Sequence, residues 1–181
     1  MFLWYNIFMK LVVALGNPGS QYNFTRHNFG FLSADYFFKL HDLTWAPKPQ
    51  FGAIYGRTDD ILFIKPQNFY NDSGTAVRAF SDYYKIPPED ILVICDDFNI
   101  PFGTLRYRMG GSAGGNNGLK SVTDHLGTSD FPRLRLGTGN DALRTRIGDT
   151  DFVLGKFTPE ERGALPPLLS QVSDKITEIL S

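Results

Sequence analysis

The chain has little cysteine, little histidine and almost no net charge. Cys95 is the single cysteine among 181 residues, which excludes a disulfide framework, a cysteine-based zinc site and a CxxC redox motif and suits a reducing cytosol. The formal net charge is −1 and the pI about 6.3. No global positive field therefore advertises a nucleic-acid partner, and any such contact has to come from a local patch. No apolar run approaches the ~20 residues that a membrane span needs. The opening MFLWYNIF lacks the basic n-region and the cleavage site of a signal peptide.

What is present describes a globular protein. Apolar residues make up 42%, with 16 Phe and 8 Tyr, far from a disordered composition. The length suits one domain with a sizeable core. Residues 9–181 are expected to form it, with 1–8 as an extension or as the product of an upstream start codon that is not used.

The organising stretch is KLVVALGNPGSQYNFTRHN, residues 10–28. The run Leu11 to Leu15 reads as a buried strand, ended by Gly16-Asn17-Pro18-Gly19. Thr25 offers an N-cap to a helix running from about Arg26 to His41-Asp42, with Phe29, Leu32, Tyr36 and Leu40 on one stripe. Strand, turn and helix place Asn17 and His27 at the carboxyl end of a strand, where open α/β sheets hold ligands. His27 is the natural candidate for a base. His41, in a last helical turn, reads as a helix-end cation.

Further along, Phe51 to Arg57 and Ile61 to Lys65 read as a hairpin around Thr58-Asp59-Asp60. The loop Pro66 to Gly74 carries Gln67, Asn68 and Asn71 ahead of a helix from Thr75 to Lys85 that Asp72 or Ser73 can cap. There, Asn71 presents a donor and an acceptor to a peptide group, while Phe69 and Tyr70 read as core. Ile91 to Cys95 is a second buried strand, ending in Asp96-Asp97. An aspartate in that place either turns the chain or holds an imidazole in one tautomer. A metal pair is the weaker alternative, because no histidine or further acidic cluster accompanies the two. Strands are expected over Thr104 to Arg108 and Arg133 to Gly137. The glycine-rich run Gly110 to Gly118 lies between the first of these and a helix over Leu119 to Leu126. It has no G-x-G-x-x-G or G-K-[ST] spacing, and reads as backbone room for a substrate, with Asn117 aimed inward. Gly139 to Asp151 reads as a polar, lid-like loop. Thr158-Pro159-Glu160-Glu161 is a helix start, and a last amphipathic helix begins near Pro167. Between Pro101 and Phe157 eight Lys plus Arg face five Asp, a local basic excess.

The segments GNPGSQYNFTRHNFG, KPQNFYNDSG, DDFNIPFGTLRYR, GGNNGLKS, FPRLRLGTG and FVLGKF, in this order and spacing, resemble bacterial-type peptidyl-tRNA hydrolase from about Met9 to Phe157. The resemblance implies a single α/β domain with a mixed twisted sheet flanked by helices, and hydrolysis by water of the ester between a peptide and the 3′ ribose of tRNA. It implies His27 as the base, Asp96 as its stabilising partner, and Asn17 as the residue that helps tell a blocked amino group from a free one. Tyr22, Phe69, Asn71 and Asn117 would bind substrate. Peptidyl-tRNA is the implied partner, in a cytoplasmic and monomeric enzyme with no cofactor and no metal. Arg108, Lys120 and Arg135 are the expected phosphate contacts, the alternative being that the arginines pair with neighbouring aspartates and stabilise the sheet edge. The chain departs from the family at Asn116, where a histidine is usual, at Asn99, where an aspartate is usual, and at Cys95. It also ends at Ser181, ahead of a last helical segment that many relatives have. The unremarkable serines and the single cysteine favour direct attack by water over a covalent nucleophile. A binding module on the same fold, such as an RNA-splicing cofactor, and a nucleotide-dependent enzyme reading the glycine loop are the rival functions.

Overall fold

The computed structural model describes residues 9–181, so the expected extension at 1–8 lies outside the described residues. Seven strands form one sheet: β1 (Lys10–Ala14), β2 (Ala46–Lys48), β3 (Ala53–Arg57), β4 (Ile61–Pro66), β5 (Ile91–Pro101), β6 (Leu105–Arg108) and β7 (Arg133–Gly139). Their spatial order is β2-β3-β4-β1-β5-β7-β6. The four central strands run parallel, and β2, β3 and β6 join antiparallel at the edges. The fold is α/β with a mixed sheet.

The continuous apolar runs have a simple cause. Each central strand is buried on both faces, and alternate residues go to opposite sides. Leu11, Val13, Ile91, Val93 and Cys95 pack on one face under the helices α2 (Ser73–Tyr84) and α3 (Asn117–Leu126). Val12, Leu92 and Ile94 pack on the other under α1 (Phe29–Leu40) and the last helix, Pro159–Leu180. The helix after β1 thus covers one face and the helix after β5 and β6 the other. That reversal opens a crevice at the carboxyl ends of these neighbouring strands. Gly30 lets α1 approach closely: a Cβ there would sit 2.5 Å from the Leu15 carbonyl oxygen and 2.7 Å from that of Ile94.

Several local expectations change. His27 lies on a 3-10 turn, Arg26–Asn28, ahead of α1, and the Thr25 hydroxyl donates to the Tyr22 carbonyl instead of capping. The expected stripe on α1 also shifts. Phe29, Ser33 and Phe37 are buried together with Phe31, Ala34 and Phe38, while Leu40 is exposed, because α1 is covered by the sheet, by the last helix and by Trp45. Neither Asp72 nor Ser73 caps α2 through its side chain; the Ser73 hydroxyl donates back to Tyr70. The Pro47 region, read as loop, is the edge strand β2, a place that tolerates proline's missing N–H. Strand β5 runs past Cys95 to Pro101, so Asp96 and Asp97 lie inside it, paired with β7.

The stretch Gly139 to Asp151, expected as loop, holds two short helices, α4 (Asp141–Ile147) and α5 (Asp149–Leu154). The Asn140 side chain accepts from Leu143 N–H as N-cap of α4, and Phe152 and Val153 anchor α5 in the core. The final helix is continuous as α6 (Pro159–Leu180), with Pro166 and Pro167 inside it. Both prolines lie on its exposed side, where water can take the carbonyls they free. Leu165, Leu168, Val172 and Ile176 hold the buried side in line on either side of them. The capping box at its start forms as expected between Thr158 and Glu161.

Candidate active site

His27 stands beyond the carboxyl end of β1 and beside the middle of β5, with its side chain 14% exposed. Its Nδ1 is 2.9 Å from Oδ1 of Asp96, whose side chain is 2% exposed. An ionised carboxylate accepts only, so this bond places a proton on Nδ1 and leaves the Nε2 lone pair as the basic one. Asp97, the next residue, pairs instead with Arg135, Nη1 to Oδ2 at 2.9 Å. The adjacent aspartates therefore serve different partners, and among the described residues no group of three or more His, Cys, Asp or Glu is gathered to hold a metal ion.

The turn after β1 is held by reciprocal bonds. Asn17 N–H donates to Asn28 Oδ1 at 2.8 Å, and Asn28 Nδ2 donates to the Asn17 carbonyl at 2.9 Å. The Asn17 side-chain oxygen accepts from Tyr70 N–H at 2.7 Å. This orients the amide and leaves its NH2 end without a partner among the described residues. Arg26, beside His27, is buried and turned the other way. It pairs with Glu161 at 2.6 Å, donates to the Lys156 carbonyl at 2.9 Å and lies over the Phe152 ring. The turn that carries His27 is thereby tied to α5 and α6.

A cleft of about 330 Å³ is lined by Asn17, Tyr22, His27, Phe69, Asn71 and Asn117, with Tyr70, Thr150, Val153 and Leu154 completing it. An adjoining hollow of about 140 Å³ reaches from His27 past Asp96 to Gly114–Asn117. One site thus collects residues from Asn17 to Leu154, 137 positions apart. Asn71 and Asn117 are exposed, and neither side-chain amide has an internal partner among the described residues. Phe69, for which the resemblance implies substrate contact and the residues alone also allowed a core place, is 64% exposed at the rim.

Two site residues escaped the sequence reading. Tyr70, read as core, is buried, but its ring stacks on His27 at 3.5 Å between centroids and 11° between planes. Its hydroxyl donates to Asp96 Oδ1 at 2.7 Å. Asn116 donates from Nδ2 to the Tyr70 hydroxyl at 2.9 Å and to the Asp96 carbonyl at 3.0 Å, while its Oδ1 caps α3. The one available signal was the run of amides flanking both glycine-rich turns.

The arginines of β6 and β7 share one sheet face, since Arg106 pairs opposite Arg135 and Arg108 opposite Arg133. They are not equivalent. Arg133 is fully buried and holds the carbonyls of Gly111, Ser112 and Ser129. Arg135 is 13% exposed and also donates to the Ser112 carbonyl at 2.6 Å. These two pin the glycine-rich loop. Arg106, Arg108 and Lys120 are exposed and form no ion pair among the described residues.

The family model for peptidyl-tRNA hydrolase matches residues 11–181. The chain belongs to the peptidyl-tRNA hydrolase family. A peptidyl-tRNA hydrolase of Chloroflexus aurantiacus is 46% identical over 178 residues, covering 95% of this chain and 93% of that protein. One of Gloeobacter violaceus is 41% identical over 177 residues, covering 96% and 88%. The crystal structure of the Acinetobacter baumannii peptidyl-tRNA hydrolase superposes with a TM-score of 0.87 at 33% identity, covering 96% of this chain and 89% of that one. As a member of this family, the chain hydrolyses peptidyl-tRNA to tRNA and peptide.

Proposed function

We propose that this hydrolysis runs by direct attack of water on the ester carbonyl, with His27 Nε2 taking the water proton. The observation that carries the reading is the 2.9 Å bond from His27 Nδ1 to buried Asp96 in the wall of the cleft. Asp96 holds the imidazole in the tautomer that leaves Nε2 basic, and its charge stabilises the imidazolium that forms. The imidazolium then returns its proton to the departing 3′ oxygen. The amide groups of Asn71 and Asn117 line the same cleft without internal partners, which suits them to the peptide amide and to the developing oxyanion. Asn17 contributes its NH2 end and sets the preference for a neutral blocked amine over a cationic one, since this set of amides offers no carboxylate to a cation. Tyr22 and Phe69 form apolar walls for the acyl group and the terminal base.

The tRNA acceptor arm meets Arg108 and Lys120, which are exposed and uncommitted, while Arg135 acts mainly by holding the loop that presents Asn116 and Asn117. We infer that the enzyme works as a monomer in the cytoplasm, where its substrate arises, and that it recycles tRNA from stalled or dropped-off peptidyl-tRNA. Turnover of N-acetyl-aminoacyl-tRNA, with the deacylated tRNA recovered intact, tests the reading. His27→Ala is expected to lose at least ~100-fold in rate while keeping its melting temperature. Near-normal turnover by the folded variant overturns the mechanism.

A further inference from the structure

Tyr70 makes more contacts with the reacting groups than a packing residue needs. Its hydroxyl and His27 Nδ1 both point at one oxygen, Asp96 Oδ1, at 2.7 and 2.9 Å. Its ring lies 3.5 Å from the imidazole and nearly parallel to it. Its backbone N–H holds the Asn17 side chain. Behind the ring, Gly118 is the reason it fits: a Cβ there would stand 2.5 Å from Tyr70 Cε1. Asn116 then fixes the hydroxyl by donating to it at 2.9 Å, which leaves the phenolic proton to go to Asp96.

We infer that Tyr70, held by Asn116, is the positioning residue of the His27–Asp96 pair: its ring sets the imidazole plane and its hydroxyl shares the aspartate oxygen that orients Nδ1. This rests on the reading of His27 as base. The two parts of the side chain act in opposite directions on the imidazolium. A second donor on Oδ1 draws off part of the carboxylate's charge, so the cation is stabilised less than by Asp96 alone. The π-face under the imidazole stabilises the cation directly. Burial first, and the Asp96 charge second, push the Tyr70 hydroxyl well above its ordinary range, so it remains a donor at working pH. The other titratable groups around the site are accounted for. Asp97 is paired with Arg135, the buried Cys95 thiol is pushed up and stays neutral, Arg26 faces Glu161, and Asp149 and Tyr22 stand at the rim.

The experiment is the pH profile of kcat/KM for N-acetyl-aminoacyl-tRNA, with a melting curve for each variant. Tyr70→Phe keeps the ring and loses the hydroxyl. Its acidic limb should move to higher pH by about half a unit or more, with KM little changed. Tyr70→Leu loses both parts. Its limb should fall below that of Tyr70→Phe, and kcat should drop about tenfold or more as the imidazole loses its platform. Asn116→Ser retains a cap for α3 but not the reach to Tyr70. It should shift the limb in the same direction as Tyr70→Phe, by less, and add nothing in the double variant. A folded Tyr70→Phe with an unmoved acidic limb overturns the inference, whether or not kcat falls. His27→Ala separates the two failures. If it is inactive while Tyr70→Phe keeps the wild-type profile, only the positioning role is lost; if it stays active, the base assignment falls as well.

Discussion

The floor and the rim of the cleft are built on opposite terms. On the floor, Asn17, Asn28, Tyr70, Asp96 and Asn116 direct most of their polar groups at one another, the Asn17 NH2 end and the α3-capping Asn116 oxygen excepted. Buried polar groups left unpaired are costly, so this network has one low-energy arrangement, and His27 inherits it through Asp96. At the rim, Asn71, Asn117 and Phe69 are exposed, and among the described residues neither amide is satisfied by the protein. A group that holds a proton acceptor in place has to be saturated; a group that binds a peptide has to be left open. On the proposed mechanism the same residue type, asparagine, serves both purposes, and the surroundings decide which.

The sharpest break of this comparison is Asp96→Asn. On the floor it removes the charge that stabilises the imidazolium, and the rate should fall by about 100-fold or more. The acidic limb of the pH profile should move to lower pH, because the protonated imidazole has lost a negative neighbour. An unchanged profile would reduce Asp96 to a strand residue.

At the rim, smaller effects of another kind are expected. Asn71→Ala and Asn117→Ala each remove a hydrogen bond of about 1 kcal/mol, so kcat/KM for the N-blocked ester should fall several-fold, with the pH profile and the melting temperature in place. Asn17 belongs to both regions. Asn17→Ala should narrow the preference for blocked over free aminoacyl-tRNA and also lower the melting temperature, since its side-chain oxygen holds Tyr70 N–H. Equal hydrolysis of blocked and free esters by the wild type would remove the discrimination argument altogether.

The smallest effect is expected furthest out. Arg108→Ala or Lys120→Ala should raise KM for full-length tRNA and flatten its salt dependence by about one counterion per lost contact. Hydrolysis of an ester carrying only the 3′ nucleotide should hardly change. Arg135→Ala should behave differently: it takes the ion-pair partner from Asp97 and leaves the Ser112 carbonyl only its bond to Arg133, so both substrates should suffer and the protein should melt earlier. If all three variants lose equally on the two substrates, the RNA-contact assignment is wrong.

Local chemistry written along the chain determined much of this protein. Doubly buried strands must be apolar at every position, so β1 and the first half of β5 were legible as runs, and Gly-Asn-Pro-Gly marked where the first one ends. His27, Asp96, Asn17, Asn71 and Asn117 were visible because each follows an apolar run or lies in a turn with its own sequence signature. Tertiary structure alone decided what connects sites far apart in the chain. Tyr70 looks like any core aromatic until β5 places Asp96 2.7 Å from its hydroxyl. Asn116 is one of several turn formers until α3 packs against the turn that carries Tyr70. The polar stretch after β7 has no strong periodicity, and two buried side chains, Phe152 and Val153, hold its second helix. Pro166 and Pro167 read as a break, but packing on both sides of them outweighs two missing backbone donors. Arg135 alternates with Arg133 like a surface residue, and only the aspartate of the neighbouring strand shows where its charge goes. Periodicity reports which side of an element is covered; it cannot report which polar group lies opposite, because that is set by the register of strands remote in sequence.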